Sequence, residues 1–376
     1  MRVVHVMEPG FGGVLRHVEG LVASQPAAGH QVSLAYSTAR TSPRLWDLIE
    51  TVRRAGGGLC DLRVGNAPGW RDLAAAHQLR KLICQQSADI VHAHSSKAGA
   101  LARLTARSCR CPCLYTPNAY YGMGRRGLRS QFFNAIERVL SRLAVTVNVS
   151  PEEIDFARRH LGVPAHLQRL VPNGVDTSYF EPATPAQKLA ARQALGLPPD
   201  APVLGSLGRL SYQKNPEVLY RSFALFVRRH PRARLLHLGE GELEGVLTAI
   251  LQSEDLGEKV RRVEGLADPR PFYHALDGFA LTSRFEGLPI SALEALACDL
   301  PLVLTDAPGN RLFGTLGLNR LTYVPVGDVE GVARGFESWL EGQDTPPNHR
   351  QVCQSRLSLE QTCAQVLALY HERLSA

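Results

Sequence analysis

Short apolar runs alternate with amphipathic helical segments along almost the whole chain, and that alternation restricts the fold more than any other feature. Residues 2–7 read as a strand. After the glycine loop GFGG comes a helix with Val14, Leu15, Val18, Leu21 and Val22 on one face. Residues 31–36, 59–64, 89–92, 114–116 and 146–149 read as further strands, separated by helices over 44–54, 71–86, 96–107 and 129–143. A helix over 151–160 and a strand near Leu170 follow. Strand and helix in strict turn imply a parallel sheet covered by helices on both faces.

The texture then changes. Residues 172–202 are rich in Pro and Ala, with turn signals at Asn173-Gly174 and Pro198-Pro199, and a domain junction is expected there. The alternation restarts with strands at 203–207, 234–238 and 259–263 and helices at 216–229 and 242–251. A short helix at 270–276 leads into one more strand–helix–strand unit, and residues 342–348 read as a loop before an apolar-periodic helix at 359–374. A chain of 376 residues exceeds the size at which one core keeps growing, so two α/β, doubly wound halves in series are expected.

A hydrophobic content of 44% and a charged content of 20% describe an ordinary globular protein. The first residues enter a strand-like run directly, without a charged-then-apolar leader pattern. No segment approaches the ~20 apolar residues that span a bilayer. A cytoplasmic protein is expected. The net charge of +7 is compatible with nucleic acid, anionic lipid or phosphorylated substrates, but no basic-and-aromatic repeat supports nucleic acid. Of the eight cysteines only Cys109, Cys111 and Cys113 cluster, as CRCPC, which is not zinc-site spacing. Reduced, partly buried thiols are expected, with Cys113 opening a strand.

Ligands of a doubly wound sheet bind beyond the carboxyl ends of its strands, and four loops of interest fall there. In EPGFGG (8–13), Gly12 and Gly13 let backbone amides face a phosphate, although GxGxxG is absent. In HAHSSK (92–97), His92 and His94 are expected to alternate, so that at most one faces the cleft, and a metal site would need a third ligand that the sequence does not offer. Ser95 or Ser96 is expected to cap the next helix. In GRLSYQKN (208–215), Arg209 and Lys214 project from a short loop whose end, Asn215-Pro216, looks like a helix cap and first residue. Two cations there suit a pyrophosphate.

The fourth loop opens the stretch SRFEGLPISALEALACDLPLVLTDAPGN (283–310). Glu286 precedes a helix expected to start at Pro289, and Glu294 lies about two turns along from it. Gly287 allows close backbone approach, and the free N–H groups of a helix start attract an anion. A carboxylate accepts hydrogen bonds from vicinal hydroxyls, which a ribose or hexose supplies.

GRLSYQKN, GEGE at 239–242, VEGLAD at 263–268 and EGLPISALEALACDLP together resemble the family-4 retaining glycosyltransferases, the group 1 enzymes of bacterial polysaccharide synthesis. HAHSSKAGALARL and LYTPNAYYG extend the resemblance to the amino-terminal half, and NGVD at 173–176 matches the family's domain junction. The resemblance implies the GT-B fold, two Rossmann-like domains facing across a cleft. Residues 1–172 would form the acceptor side, 173–202 the junction and 203–354 the donor domain, with a terminal helix over 355–376 packing back onto the first domain.

Carried over by position, the resemblance places Arg209 and Lys214 on the diphosphate of a nucleotide sugar, Glu294 on ribose hydroxyls and Glu286 on sugar hydroxyls. Gly287 and Leu288 would offer backbone amides, and Gly12 and Gly13 would approach the diphosphate from the other domain. It implies no cofactor and no metal, since the two cations stabilise the departing phosphate. Where many members have His after YTP, this chain has Asn118, which can donate a hydrogen bond but cannot act as a base. Catalytic roles therefore fall to Glu286, Arg209, Lys214 and Asn118, and the acceptor side to His94, Ser95 and Lys97.

The segment 124–142, with Phe132, Phe133, Ile136, Val139 and Leu140 among its arginines, is a candidate for docking at the inner face of a membrane. The expected function is retaining transfer of a hexose from a nucleotide sugar, UDP-linked, to a glycan or lipid-linked acceptor. The alternatives are a sugar-nucleotide epimerase or hydrolase of the same fold, or a non-catalytic binding protein.

Overall fold

The computed structural model describes residues 1–65, 67–125, 127–341 and 345–375, so residues 342–344 of the expected loop at 342–348 lie outside the described residues. The chain forms two units, Met1–Gly174 with Leu359–Ala376, and Val175–Ser358.

The first unit alternates β1 (Arg2–Met7), α1 (Gly12–Ser24), β2 (Gln31–Tyr36), α2 (Pro43–Arg54), β3 (Leu59–Asp61) and α3 (Arg71–Gln85). It continues with β4 (Ile90–His94), α4 (Ser96–Ser108), β5 (Cys113–Thr116), α5 (Leu128–Leu140), β6 (Val145–Asn148), α6 (Pro151–Phe156) and β7 (Gln168–Leu170). The sheet order is β3-β2-β1-β4-β5-β6-β7, parallel throughout. Strands such as RVVHVM and IVHAH are buried on both faces, which is why they read as continuous rather than alternating apolar runs. The helix expected over 151–160 ends differently: α6 stops at Phe156, a wider turn runs over Ala157–Leu161, and a single left-handed residue, Gly162, closes it at φ +65°.

The second unit runs α7 (Pro185–Ala194), β8 (Val203–Leu207), α8 (Pro216–Arg229), β9 (Arg234–Leu238), α9 (Glu244–Ser253), β10 (Val260–Val263), α10 (Arg270–His274) and β11 (Gly278–Leu281). It ends with α11 (Ile290–Ala297), β12 (Leu302–Thr305), α12 (Arg311–Gly314), β13 (Leu321–Val324), α13 (Val329–Glu341) and α14 (His349–Arg356). Its six-stranded sheet has the order β10-β9-β8-β11-β12-β13, again parallel. The last helix, α15 (Leu359–Ser375), belongs to the first unit, where Cys363, Val366 and Tyr370 pack with Val3, Leu21, Ile90 and Leu114.

In both sheets the strand order reverses direction beside the first strand, between β1 and β4 and between β8 and β11. Those are the points where loops on neighbouring strands diverge and leave a crevice. The stretch read as a junction from Val175 onward is part of the second unit and contains α7. Its start was signalled by Thr184-Pro-Ala-Gln187. The Thr184 hydroxyl accepts from the Gln187 N–H, and the Gln187 side chain accepts from the Thr184 N–H at 2.9 Å.

Candidate functional site

In the second unit the loops after β8 and β11 meet, because those strands are neighbours in the sheet. The Arg284 N–H donates to the Gln213 carbonyl at 2.7 Å, and the Thr282 hydroxyl donates to the Asn215 carbonyl at 3.0 Å. The Thr305 hydroxyl at the end of β12 donates to the Ser283 carbonyl at 2.6 Å. These bonds fix where Glu286 can stand. Its carboxylate is only 4% exposed and takes three donors: Lys214 Nζ at 2.6 Å and Ser283 Oγ at 2.6 Å on Oε1, and Gln213 Nε2 at 3.1 Å on Oε2.

Two glycines hold this geometry. Gly309 adopts φ +86°, and a Cβ there would sit 2.4 Å from the Glu286 carbonyl oxygen and 2.5 Å from that of Gly287. Gly239 adopts φ +143°, with a Cβ position 2.2 Å from the Gly208 carbonyl oxygen. The first glycine of GEGE therefore lets β9's loop lie against the GRLSYQKN loop, where the Leu210 N–H also donates to the Glu240 carbonyl at 2.9 Å.

Asn215 stands at the cap position of α8 but does not cap it through its side chain. Its backbone is left-handed, φ +50°, and its Oδ1 accepts from Arg284 at 2.8 Å instead. Pro289 likewise is the cap residue of α11 rather than its first turn, with an extended backbone. Gly287 and Leu288 are buried in the approach to that helix. Glu294 sits in the second turn, 4% exposed, and accepts from the Tyr273 hydroxyl at 2.6 Å. Arg209 stands exposed in the same loop as the half-buried Lys214.

In the first unit Gly12 and Gly13 are exposed at the start of α1, Gly12 at φ +66°. Glu8, just ahead of them, is buried and clasped by Arg40 Nη1 at 3.0 and 3.1 Å. Burial raises the Glu8 carboxyl, and Arg40 opposes that rise.

His92 and His94 do not alternate. Residues two apart on a strand point to the same face, and their rings lie 4.2 Å apart, both fully buried. The third imidazole comes from β1: His5 faces His92 in register and meets His94 through Nδ1···Nε2 at 3.0 Å. His5, His92 and His94 bring ligand atoms within 4.8 Å of one another, the one such group among the described residues. Five of their six nitrogens are engaged, by each other and by neutral groups: His5 Nε2 with Gln25 Oε1 at 2.9 Å, and His92 with the Tyr370 hydroxyl at 2.7 Å and the Thr116 hydroxyl at 2.8 Å, while His94 Nδ1 is buried without a partner. Burial pushes His5 and His17 down to about 4 and His92 and His94 well below the usual histidine value. The arrangement is a hydrogen-bonded cluster of neutral imidazoles tying α15 to the sheet.

Ser95 does not cap α4 through its hydroxyl, which is buried without a partner, and its backbone lies at φ +77°. Lys97 donates to Asp72 at 2.5 Å and to the Ala67 carbonyl at 2.8 Å, holding the loop before α3. Asn118 and Ala119 are both left-handed, at φ +51° and +76°, and Asn118 Nδ2 is buried without a partner. Strained backbone and orphaned polar atoms at strand ends mark a place built to meet something.

Reading the residues missed what secures that loop. Glu153, fully buried, accepts from the Ala119 N–H at 2.5 Å and the Val149 N–H at 2.8 Å, and burial raises its carboxyl to about 7. The Ser150-x-x-Glu153 spacing was its signal, since Ser150 Oγ caps α6 from the Glu153 N–H. Gln213, Ser283 and Tyr273 carried no comparable signal. Their roles follow from where the loops meet.

Known proteins match both units. The glycosyltransferase family 4 matches residues 11–179 and the glycosyl transferases group 1 family matches 187–356. The putative glycosyltransferase EpsD of Bacillus subtilis is 28% identical over 71% of this chain and 71% of its own. A UDP-Gal:alpha-D-GlcNAc-diphosphoundecaprenol alpha-1,3-galactosyltransferase of Escherichia coli is 28% identical over 64% of each chain. Among solved structures, HepE of Anabaena in complex with UDP-glucose superimposes with a TM-score of 0.80 at 18% identity, covering 99% of this chain and 100% of its own. Sucrose-phosphate synthase of Thermosynechococcus elongatus does so with 0.80 at 19% identity over 99% of both. The two parallel sheets of this chain are those of the GT-B fold. With its family 4 half and its group 1 half in sequence on that fold, the chain belongs to the family-4, group 1 glycosyltransferases.

Proposed function

We propose that the protein transfers a hexose from a nucleotide sugar, UDP-linked, to a glycan or lipid-linked acceptor with retention of anomeric configuration. The observation that carries the reading is the junction of Lys214 and Glu286 at the carboxyl ends of β8 and β11, with Arg209 on the same loop. Cations and a buried carboxylate at the point where a doubly wound sheet reverses direction suit a diphosphate joined to a polyhydroxylated ring. Supporting it, one relative is named for a UDP-Gal donor and a diphosphoundecaprenol-linked acceptor, and a structural neighbour holds UDP-glucose.

In this reading Arg209 and Lys214 hold the diphosphate, Glu286 the sugar hydroxyls and Glu294 the ribose hydroxyls. Gly287 and Leu288 offer backbone amides. Lys214 has three donors, so it can serve a phosphate oxygen while keeping Glu286 in place. The bond from the anomeric carbon to the phosphate oxygen breaks as the acceptor oxygen bonds the same face, and the acceptor proton passes to the leaving phosphate. The two cations stabilise that phosphate without a metal. Asn118, His94, Ser95 and Lys97 lie on the acceptor side, and a lipid-linked acceptor would bring the protein to a membrane surface.

Thermal shift over UDP-, GDP- and ADP-sugars tests the donor, because a ligand that binds only the folded state raises the melting temperature. A selective UDP-sugar response is expected, with Glu286→Ala and Lys214→Ala abolishing most transfer. Full transfer by both variants would sink the assignment. The second reading, a protein that binds a nucleotide sugar without turnover, is favoured by Asn118 in place of a potential base. Donor binding with no product across an acceptor panel would select it.

A further inference from the structure

We propose that Gln25, acting through His5, is a positioning residue: it holds His94 in the tautomer whose Nδ1 carries a lone pair, and that lone pair accepts a hydroxyl hydrogen from an uncharged sugar of the acceptor. It rests on the proposed function only for the acceptor being a glycan. Burial keeps His5, His92 and His94 neutral, so each ring carries one N–H, and the partner of one nitrogen settles the role of the other. Gln25 Oε1 is a carbonyl oxygen and can only accept, so the His5 Nε2–H donates to it at 2.9 Å. His5 Nδ1 then holds a lone pair, and the bond of 3.0 Å to His94 comes from the His94 Nε2–H. His94 Nδ1 is left with a lone pair, fully buried and without a partner.

The other end of the same amide keeps Gln25 in that orientation. Gln25 Nε2 donates to the Tyr370 hydroxyl at 3.5 Å. The Tyr370 hydrogen goes to His92 Nδ1 at 2.7 Å, and the His92 Nε2–H to Thr116 Oγ1 at 2.8 Å. Turning the amide over would require every hydrogen in both arms to turn with it. One arm therefore ends on the Thr116 hydroxyl and the other on the bare His94 Nδ1.

His94 is the last residue of β4, in register with Thr116 of β5, at the edge where a doubly wound sheet presents its ligand sites. The Ser95 N–H donates to the Thr116 carbonyl at 3.0 Å, and Asn118 lies two residues beyond Thr116. Ser95 Oγ and Asn118 Nδ2 are, like His94 Nδ1, buried without partners. A lone pair, a hydroxyl and an N–H donor together match sugar hydroxyls, each of which donates one hydrogen and accepts others. They do not match an ionised phosphate, which brings no hydrogen to His94, and Lys97, the cation of this loop, is spent on Asp72 at 2.5 Å. Nor can His94 act as a base through this relay. A proton taken at Nδ1 would have to leave through His5 to Gln25, and an amide carbonyl does not hold a proton near neutral pH. His94 thus holds the hydroxyl in place and leaves its proton for the departing phosphate.

The test is a proton–nitrogen correlation spectrum of the full chain labelled at histidine, which tells a protonated ring nitrogen from a bare one. It is read beside transfer kinetics on octyl glycosides of glucose, galactose and N-acetylglucosamine and on their phosphate esters. His94→Phe identifies the His94 signals. The wild type is expected to show a bare His94 Nδ1 whose signal moves when a neutral glycoside is added and stays when its phosphate ester is. Gln25→Met removes the carbonyl, and should mix the two His94 tautomers and raise the acceptor KM about tenfold, the order of one neutral hydrogen bond, with kcat little changed. Gln25→Glu still accepts from His5 and should keep the tautomer and the KM. Five results each overturn the inference: a protonated His94 Nδ1 in the wild type, a Gln25→Met protein with the wild-type tautomer, loss of stability in that variant with KM unchanged, no neutral glycoside moving the Nδ1 signal, or a phosphate ester bound as well as its parent. Failure of the donor reading shows separately, as a wild type whose melting temperature no UDP-sugar raises.

Discussion

Lys214 Nζ stands 2.6 Å from Glu286 Oε1, although 72 residues separate them in the chain. The carboxylate that was expected on sugar hydroxyls and the cation expected on a diphosphate are thus one unit, braced by Ser283 and Gln213. Lys214→Ala leaves a nearly buried carboxylate with two neutral donors, Ser283 and Gln213, and no cation against it, and should destabilise the protein by about 1–3 kcal/mol. Urea unfolding of Lys214→Ala, Glu286→Ala and the double variant forms a cycle, and a coupling energy near zero would contradict the pairing. Loss of transfer in the single variants should far exceed the loss of stability.

Gly309→Ala should impair both folding and donor binding. The residue lies at φ +86°, and its new Cβ would meet two carbonyl oxygens at 2.4 and 2.5 Å, those of the Glu286 loop. Backbone cannot yield as a side-chain tip can, so a cost above about 1 kcal/mol is expected. A melting curve and a UDP-sugar titration of the variant check it; wild-type values in both would show that the loop does not depend on this contact.

Acid should unfold the first unit before ordinary carboxylate titration does. His5 and His17 are held down to about 4 by burial, whereas in the unfolded chain they return to about 6.5. Between those values the unfolded state binds more protons, so stability falls as pH falls from about 6.5 toward 4. Each such histidine contributes a slope of up to about 1.4 kcal/mol per pH unit. Denaturant midpoints at a series of pH values should follow that fall, and His5→Gln should flatten it.

Glu153 should pull the other way. Its carboxyl is raised to about 7 in the folded protein, so the stability tied to its proton is present below about 4.5 and lost as pH rises through about 7. In Glu153→Gln the rise of stability with pH across that window should be steeper than in the wild type. Because its carboxylate holds the Ala119 N–H, hydrogen exchange at Ala119 should also speed up in the variant.

The sequence by itself determined a great deal. Continuous apolar strands such as Arg2–Met7 and Leu302–Thr305, in turn with amphipathic helices, fix two parallel sheets, because a strand buried on both faces needs apolar residues throughout. Arg209, Lys214, Glu286 and Glu294 were readable as chemistry-bearing residues, since loop and helix placement is local. Local patterning misled where backbone conformation depends on a distant partner. Ser95 and Asn215 sit at cap positions yet bend left-handed, and Asn215 spends its side chain on Arg284.

Only the tertiary structure decided which groups meet. Strand order sets β4 beside β1 and β8 beside β11, and no period within a segment records which strand becomes its neighbour. His5 therefore joined His92 and His94 unannounced, Glu153 closed on the Asn118 loop, and Lys214 came to Glu286. Register across parallel strands is chosen by burial summed over the whole sheet, and the residues it brings together lie far apart in the chain.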